Sequence, residues 1–329
     1  MKIAIVRLSA MGDIIQSMII LQFIKNQFPD AKIDWFVENQ FGDLLEKNQD
    51  IDKIYTINLK EIKKTKSIVK FVKLFWFLRR VEPYDIVIDL QGLIKSALIS
   101  RFIPATKRYG FDKSSTREKL ASFFYTKGFT VAYDENVIIR YTKLINRIFN
   151  LNIDTKAILN KKCFYSFDQQ KINKYKIGSV LLILGASFDS KIYPVESYAK
   201  IANSLNLEFK AIWHTKEEKK LAKKLIRLAP NVIFSKKLSI NELKNEIYNS
   251  KLVIGGDTGP THMAWAMNKP SITIFGSTPS ERNSFETKIN LSVSSKKSVN
   301  PFKIDKSDYS IRQIQPEKVI DLIKLIILK

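Results

Sequence analysis

The chain has 329 residues, a length that suits two α/β domains, and its 45% hydrophobic content can build a core in each. Fifty-five Lys and Arg against 32 Asp and Glu give a formal charge of +23, a field that attracts nucleic acid, anionic lipid surfaces or phosphorylated substrates; the bias toward Lys, Ile and Asn makes part of that excess solvated decoration. One cysteine, Cys163, and two histidines, His214 and His262, exclude an intramolecular disulfide, a cysteine-held zinc or iron–sulfur centre and a multi-histidine metal site.

Lys2–Arg7 reads as a buried strand. Arg7 stops its apolar run and no small-residue cleavage site follows, so a secretory signal is not expected. No window approaches the roughly 18 uninterrupted apolar residues of a membrane span. The expected location is cytoplasmic, with contact to a membrane from that side.

The loop Ser9-Ala10-Met11-Gly12-Asp13 then leads into a helix over Ile14–Phe28. Gly12 suits a tight turn or close approach to a ligand. Asp13, with Gln16 three residues on, fits a helix cap; it also fits a general base that takes a proton from an attacking hydroxyl. The loop lacks G-x-G-x-x-G, which removes most support for a dinucleotide-dependent dehydrogenase.

Lys32–Val37, Lys53–Ile57 and Asp85–Asp89 read as further strands, each followed by a helical stretch. Strand and helix alternating in this way predict a mostly parallel sheet covered on both faces. Between the third and fourth strands, Lys60–Arg80 carries eight basic residues and one acid, with Phe71, Phe75, Trp76 and Phe77 among them. A basic helix with aromatics can lie on an anionic membrane. The simpler expectation buries the aromatics on the sheet and leaves the basic face to steer toward the membrane.

The pattern weakens after Asn150, and a linker is expected over 155–177. Strands at Ser179–Leu184, Phe209–Trp213, Val232–Phe234, Leu252–Gly255 and Ile272–Phe275 then build a second sheet, with helices at Tyr193–Leu205 and Lys216–Leu228. The expected domains are 1–160 and 175–312, two Rossmann-like doubly wound α/β units facing across a cleft. A last helix, Gln315–Leu328 within 313–329, is expected to pack back on the first domain. Ligands should bind where strand C-termini open.

In the second half, Val253-Ile254-Gly255-Gly256-Asp257-Thr258-Gly259-Pro260-Thr261-His262 is a strand running through glycines into a helix with Pro260 near its first turn. Such a helix start is a site for a diphosphate, and a plain turn capped by Asp or Thr is the competing reading. Ile274-Phe275-Gly276-Ser277-Thr278-Pro279 repeats the theme less specifically, since turns use the same residues.

Taken together, the S-A-M-G-D loop and the distant D-T-G-P-T-H resemble glycosyltransferase family 9, which includes the bacterial heptosyltransferases. Asp89-Leu90-Gln91-Gly92-Leu93-Ile94-Lys95-Ser96-Ala97, Thr116-Arg117-Glu118-Lys119-Leu120-Ala121-Ser122 and Trp213 followed by Glu217-Glu218 extend the match over nearly the whole chain. The S-x-M-G-D form is closer to the members that add the first heptose of the lipopolysaccharide inner core.

The resemblance implies the GT-B fold, an acceptor-binding first domain and a donor-binding second. It also implies inverting transfer of heptose from ADP-heptose to Kdo on lipid A. It makes Asp13 the catalytic carboxylate and Lys191 the cation that neutralises the departing phosphate, a charge useful where the leaving diphosphate becomes more negative. For the donor it implies Ser187, Asp257, Thr258, Gly259, Pro260, Thr261 and His262, with Glu218 on the ribose and Glu217 its neighbouring alternative. For the acceptor it implies Gly12, Lys60, Lys63, Lys64, Arg117 and Arg140. The family's arginine-rich acceptor loop is here Lys60-Glu61-Ile62-Lys63-Lys64, which keeps charge and loses the guanidinium fork. Lys191-Ile192-Tyr193-Pro194 departs from the His-Trp or Arg-Trp pair more usual before that proline.

No resident cofactor is expected: ADP-heptose is a co-substrate, and magnesium at most a loose companion of its diphosphate. The expected partners are ADP-heptose, Kdo-bearing lipid A and an anionic inner-membrane surface, met by a monomer. The rivals are transfer of a sugar to a later core position and a basic nucleic-acid-binding protein. The second fits poorly, because the lysines are spread over helical faces and no nucleic-acid module is recognisable.

Overall fold

The computed structural model describes residues 1–167 and 178–327, and the chain divides into two compact units, Met1–Ser166 and Phe167–Lys329. Each unit holds a six-stranded sheet in which every pairing is parallel.

In the first unit the strands are β1 (Lys2–Val6), β2 (Lys32–Glu38), β3 (Lys53–Ile57), β4 (Tyr84–Asp89), β5 (Ala105–Phe111) and β6 (Lys127–Phe129), in the order β3-β2-β1-β4-β5-β6. Strand order reverses between β1 and β4, so their C-terminal ends form a topological switch point, where open α/β sheets bind ligands. On one face Val6, Phe36, Val87 and Tyr84 pack with Leu78, Ile99 and Ile103 from the helices Ile68–Arg79 and Ile94–Phe102 and the residues that follow. On the other, the helix Val137–Phe149 packs on the helices Met11–Ser17 and Ile19–Gln27.

The second unit repeats the design with β7 (Val180–Ile183), β8 (Phe209–Ile212), β9 (Val232–Phe234), β10 (Leu252–Gly256), β11 (Ser271–Phe275) and β12 (Asn290–Ser294), ordered β12-β11-β10-β7-β8-β9. Its switch point lies between β7 and β10. Strands β7, β10 and β11 are buried along their whole length, which is why none of them carries a charged residue. Capping boxes set two helix starts here: Thr215 with Glu218, and Ser239 with Glu242.

Four expectations need correction. The first helix begins at Met11, which places Gly12 inside its first turn and removes the tight-turn reading of that glycine. Thr155–Leu159, expected to open the linker, is a helix of the first unit capped by Asp154; positions 168–177 of that expected linker lie outside the described residues. The last helix, Pro316–Ile327, packs within the second unit, where Val319 and Ile323 join the core beneath Tyr198 and Ile274. Its apolar face is already matched there by β11, β12 and the helix Val195–Ser204.

The fourth concerns the helix Ile68–Arg79. Leu78 is buried and Phe75 is half-buried against Phe102, with ring centroids 4.9 Å apart. Phe71, Trp76 and Phe77, expected under the sheet, remain exposed. The helix is apolar almost all round, and a sheet can cover only one side of it. No helix among the described residues is long and apolar enough to cross a membrane.

Candidate active site

The end of β1 carries Arg7, and the helix that follows carries Asp13 in its first turn. The Asp13 carboxylate reaches back to the Ala10 N–H at 3.2 Å, so this residue closes the helix start from its third position and does not stand before it as a cap. Arg7 Nη2 lies 2.9 Å from the same oxygen, Oδ2. Both contacts use Oδ2, while the Asp13 side chain is 40% exposed, which leaves Oδ1 for a ligand.

Arg7 itself is buried, and its Nη1 donates to the Leu90 carbonyl at the end of β4. Burial works against its charge, but Tyr141, Asp13 and Asp89 outweigh that and hold its pKa above the ordinary arginine value.

Asp89, fully buried, shapes the neighbouring loop. Its Oδ1 accepts the Gln91 and Gly92 N–H groups at 2.8 and 3.2 Å, and its Oδ2 accepts the Tyr125 hydroxyl at 2.8 Å. Burial pushes its carboxyl pKa up, and these donors only partly oppose the rise. Gln91 then binds the first loop, accepting from the Leu8 N–H and donating to Ser9 Oγ, which Lys95 also reaches at 3.1 Å. Lys95 thus places a cation beside the Ser9–Asp13 loop. The sequence match contained it but gave it no role.

The acceptor candidates separate. Arg117 is exposed beside Glu118, whose carboxylate accepts the Ile94 N–H at 2.7 Å and so holds this loop to the helix bearing Lys95. Lys60, Lys63 and Lys64 are exposed on the helix Leu59–Thr65 after the edge strand β3, where Lys60 donates to Gln40. Arg140 is corrected from a ligand contact to a structural clamp. It is 5% exposed, it donates to the carbonyls of Val131, Ala132 and Ser115, and it stacks 4.4 Å over the Phe111 ring. Its fork fixes the strands and loops around Arg117.

At the switch point of the second sheet, the loop after β7 supplies Lys191 and the end of β10 supplies Asp257. Lys191 Nζ donates to Asp257 Oδ2 at 2.8 Å, and His262 Nε2 lies 2.9 Å from Oδ1. Asn283 Nδ2 adds a third contact at 3.1 Å on Oδ2. Burial alone would raise the Asp257 pKa, but the Lys191 charge and the His262 contacts hold the carboxyl well below the usual carboxylate range. The Lys191 ammonium also lies 5.4 Å from the Phe188 ring centroid.

Close packing makes this possible. A Cβ on Gly256 would come within 2.5 Å of the Lys191 carbonyl oxygen, so only glycine lets the loop after β7 rest on the end of β10. Ser190 Oγ and Ser277 Oγ, 3.2 Å apart, tie the same loop to the one after β11. That loop leads into Ser280–Asn283 and so delivers Asn283, which sequence reasoning missed because its only signal was the nonspecific Gly-Ser-Thr-Pro turn. Beside it, the buried Thr278 hydroxyl has no hydrogen-bond partner among the described residues.

The helix Gly259–Ala266 opens beside Asp257, and its first N–H groups have no partner within the helix. Thr258 is the residue before it and Pro260 sits in its first turn. The Thr261 hydroxyl turns inward to the Thr258 and Gly256 carbonyls at 2.7 and 3.1 Å, which leaves its backbone to serve the donor. Ser187 is exposed in the loop before Lys191. Glu218 Oε2 accepts the His214 and Thr215 N–H groups at 2.6 and 3.3 Å, leaving Oε1 beside Gly185, while Glu217 points into solvent.

The chain as a whole has counterparts among known proteins. The profile of glycosyltransferase family 9 (heptosyltransferase) matches residues 72–306. Lipopolysaccharide heptosyltransferase 1 of Campylobacter coli is 39% identical to this chain, with 98% of each chain covered. The protein of that name in Escherichia coli (strain K12) is 26% identical over 84% of this chain and 88% of its own. Among solved structures, E. coli heptosyltransferase WaaC with ADP matches at a TM-score of 0.81 and 23% identity, covering 98% of this chain and 99% of that one. E. coli ADP-heptose lps heptosyltransferase II matches at 0.71 and 16% identity, covering 100% and 99%. The structural likeness is that of the GT-B fold.

Proposed function

The chain belongs to glycosyltransferase family 9, the heptosyltransferases, and from that premise we propose that it moves L-glycero-D-manno-heptose from ADP-heptose to Kdo of lipid A in the lipopolysaccharide inner core. The observation that carries the reading is the buried Lys191–Asp257–His262 cluster at the opening of a helix, on the switch point of the second sheet. An ammonium has three donors. Asp257 takes one and fixes the group's direction, and the other two serve phosphate oxygens.

In this reaction the acceptor hydroxyl oxygen attacks the anomeric carbon of the heptose from the face opposite the diphosphate. The bond from that carbon to the phosphate oxygen breaks, and ADP leaves with the electron pair. Asp13 Oδ1 takes the hydroxyl proton, while Oδ2 stays bound to Arg7 and the Ala10 N–H. Lys191 and the first N–H groups of the helix Gly259–Ala266 balance the charge that grows on ADP. Glu218 Oε1 accepts a ribose hydroxyl. Arg117, Lys95 and the lysines at 60, 63 and 64 meet the acidic groups of the acceptor.

The reading assigns no resident cofactor, since Lys191 and the helix start supply the positive field; magnesium would act only as a loose companion of the donor diphosphate. It also places the enzyme, as a monomer, on the cytoplasmic face of the inner membrane, where its lipid acceptor lies.

The test is transfer from ADP-heptose to Kdo-bearing lipid A, run beside an acceptor that already carries one heptose. Preference for the unmodified acceptor supports the reading. Preference for the heptosylated one moves the enzyme to a later core position. ADP binding without transfer to either assigns a different sugar acceptor.

A further inference from the structure

The helix Ile68–Arg79 is covered on one side only. Leu78 and Leu74 face the sheet, and Phe75 and Phe77 close against Phe102 and Tyr55. On the outer side Val69 is 64% exposed, Trp76 55%, and Ile68 and Val72 also stand in solvent, while Phe71 is partly covered by the Phe102 ring. Val69, Val72 and Trp76 recur at helical spacing, so they form one stripe. Scattered exposed apolar residues are ordinary, but a continuous stripe on one helix marks a contact surface.

Its charge identifies the partner. Lys73 and Arg80 fall on the same stripe, Arg79 is exposed at the helix end, and Lys63, Lys64 and Lys66 stand on or just after the preceding helix. Glu61 is the one acid between residues 60 and 80, and Lys70 pairs with it. Apolar residues that include a tryptophan, rimmed by unopposed cations, match the depth profile of an anionic bilayer: hydrocarbon, interface, headgroup. On the next layer of the same unit, Leu120 and Phe123 are also exposed, in the turn that follows Arg117. That turn packs on the helix Ile94–Phe102, which itself touches Ile68–Arg79, so exposed apolar residues also flank the loop assigned to the acceptor.

We propose that the outer face of Ile68–Arg79, with Val69, Val72 and Trp76 inserted and Lys73 and Arg80 on the headgroups, docks this enzyme on an anionic lipid surface. The proposal deepens the reading that its acceptor is a membrane lipid. Docking holds the first unit against the bilayer and turns capture of the acceptor into a search in two dimensions.

Trp76 is a built-in reporter, because Trp35, Trp213 and Trp265 are buried. The experiment mixes the full-length protein with vesicles of phosphatidylcholine, with or without phosphatidylglycerol, and reads flotation and tryptophan emission. Wild type should float with the anionic vesicles alone, with a blue shift in emission and release by salt. Val69→Ser with Val72→Ser should lower partitioning by at least about tenfold. Lys73→Glu and Arg80→Glu should each lower it by about fivefold or more. All four changes lie on the exposed face and should preserve transfer to a water-soluble, Kdo-bearing acceptor without acyl chains, while slowing transfer to acceptor embedded in vesicles.

Absence of flotation with an unshifted emission spectrum overturns the proposal. So does a concentration-dependent dimer dispersed by Val72→Ser, which would give the face to a second copy, or salt-sensitive RNA retention abolished by Arg80→Glu. Vesicle binding by a protein that transfers no heptose would sink the functional reading and leave the surface assigned.

Discussion

Arg7 and Asp13 form an ion pair of 2.9 Å across the first turn of the first helix, and Arg7 is at the same time anchored to the Leu90 carbonyl. The carboxylate is therefore held by the sheet and not only by its own helix. One guanidinium joins the ends of β1 and β4 to the base, so a change in either strand end is felt at Oδ2.

Replacing Asp13 by Ala should lower kcat by about a hundredfold to ten-thousandfold, the range for a lost general base. ADP affinity should not change, since the donor contacts assigned above lie on the second sheet. Arg7→Lys keeps a charge but cannot reach Leu90 and Asp13 together. A misplaced base costs up to about a hundredfold, so this variant should lose kcat with little change in donor KM. Parallel steady-state kinetics and ADP titration check both; an Asp13→Ala enzyme with near-normal kcat would remove the base assignment.

Asp257→Asn leaves the buried Lys191 facing a neutral amide. Breaking a buried pair from one side typically costs about 3–5 kcal/mol, and the melting temperature at pH 7 should fall accordingly. The pH dependence has a definite sign. The folded-state pKa of Asp257 lies below its unfolded value, so its stabilisation is complete above about pH 4 and is lost as pH falls through the depressed folded value. The gap in melting temperature between wild type and Asp257→Asn should narrow as pH falls below about 4. A gap that widened in acid would contradict an ionised Asp257.

Gly185→Ala tests Glu218 without touching it. The added Cβ would lie 2.2 Å from Oε1, and the carboxylate must swing away. A hydrogen bond to a charged group contributes about 1.5–3 kcal/mol, so donor KM should rise about tenfold or more while kcat holds. In an enzyme already carrying Glu218→Ala, the same change should add almost nothing. Independent, additive losses in the double variant would show that the two residues act separately.

Much of this was legible in the chain itself. Nine strands announced themselves by their apolar runs, seven of them largely buried and two, Lys53–Ile57 and Val232–Phe234, more open at sheet edges. Ala105–Phe111, Lys127–Phe129 and Asn290–Ser294 did not, since Lys107, Arg108, Lys127 and Ser292 break the pattern near sheet edges. Asp13, Lys191, Asp257 and His262 were named from motifs, and the structure brings the last three together. Asn283 and the Arg7 anchor were illegible for a common reason: each depends on a partner far along the chain, 26 positions away for Asn283–Asp257 and 83 for Arg7–Leu90. The exposed face of Ile68–Arg79 was hidden differently, because an apolar run does not say which of its sides the sheet will cover.

Arg117 and Arg140 carry the same charge, and the resemblance gave them the same task, yet the structure separates them. Arg140 is enclosed, and truncating it strands the carbonyls of Ser115, Val131 and Ala132. With about 1.5–3 kcal/mol for each hydrogen bond to a charged group, Arg140→Ala should lose several kcal/mol of stability and unfold at a clearly lower temperature. Arg140→Lys should recover little, because one ammonium cannot span three carbonyls spread over two segments. Arg117 is exposed, so Arg117→Ala should leave the melting temperature within about a degree or two, a surface substitution being worth roughly ±0.5 kcal/mol. Its effect belongs in acceptor KM, raised about tenfold by the loss of a charged hydrogen bond, with donor KM unchanged. Thermal melts and acceptor titrations on the two variants decide the assignment: equal melting temperatures would return Arg140 to the acceptor site, and an unchanged acceptor KM in Arg117→Ala would remove Arg117 from it.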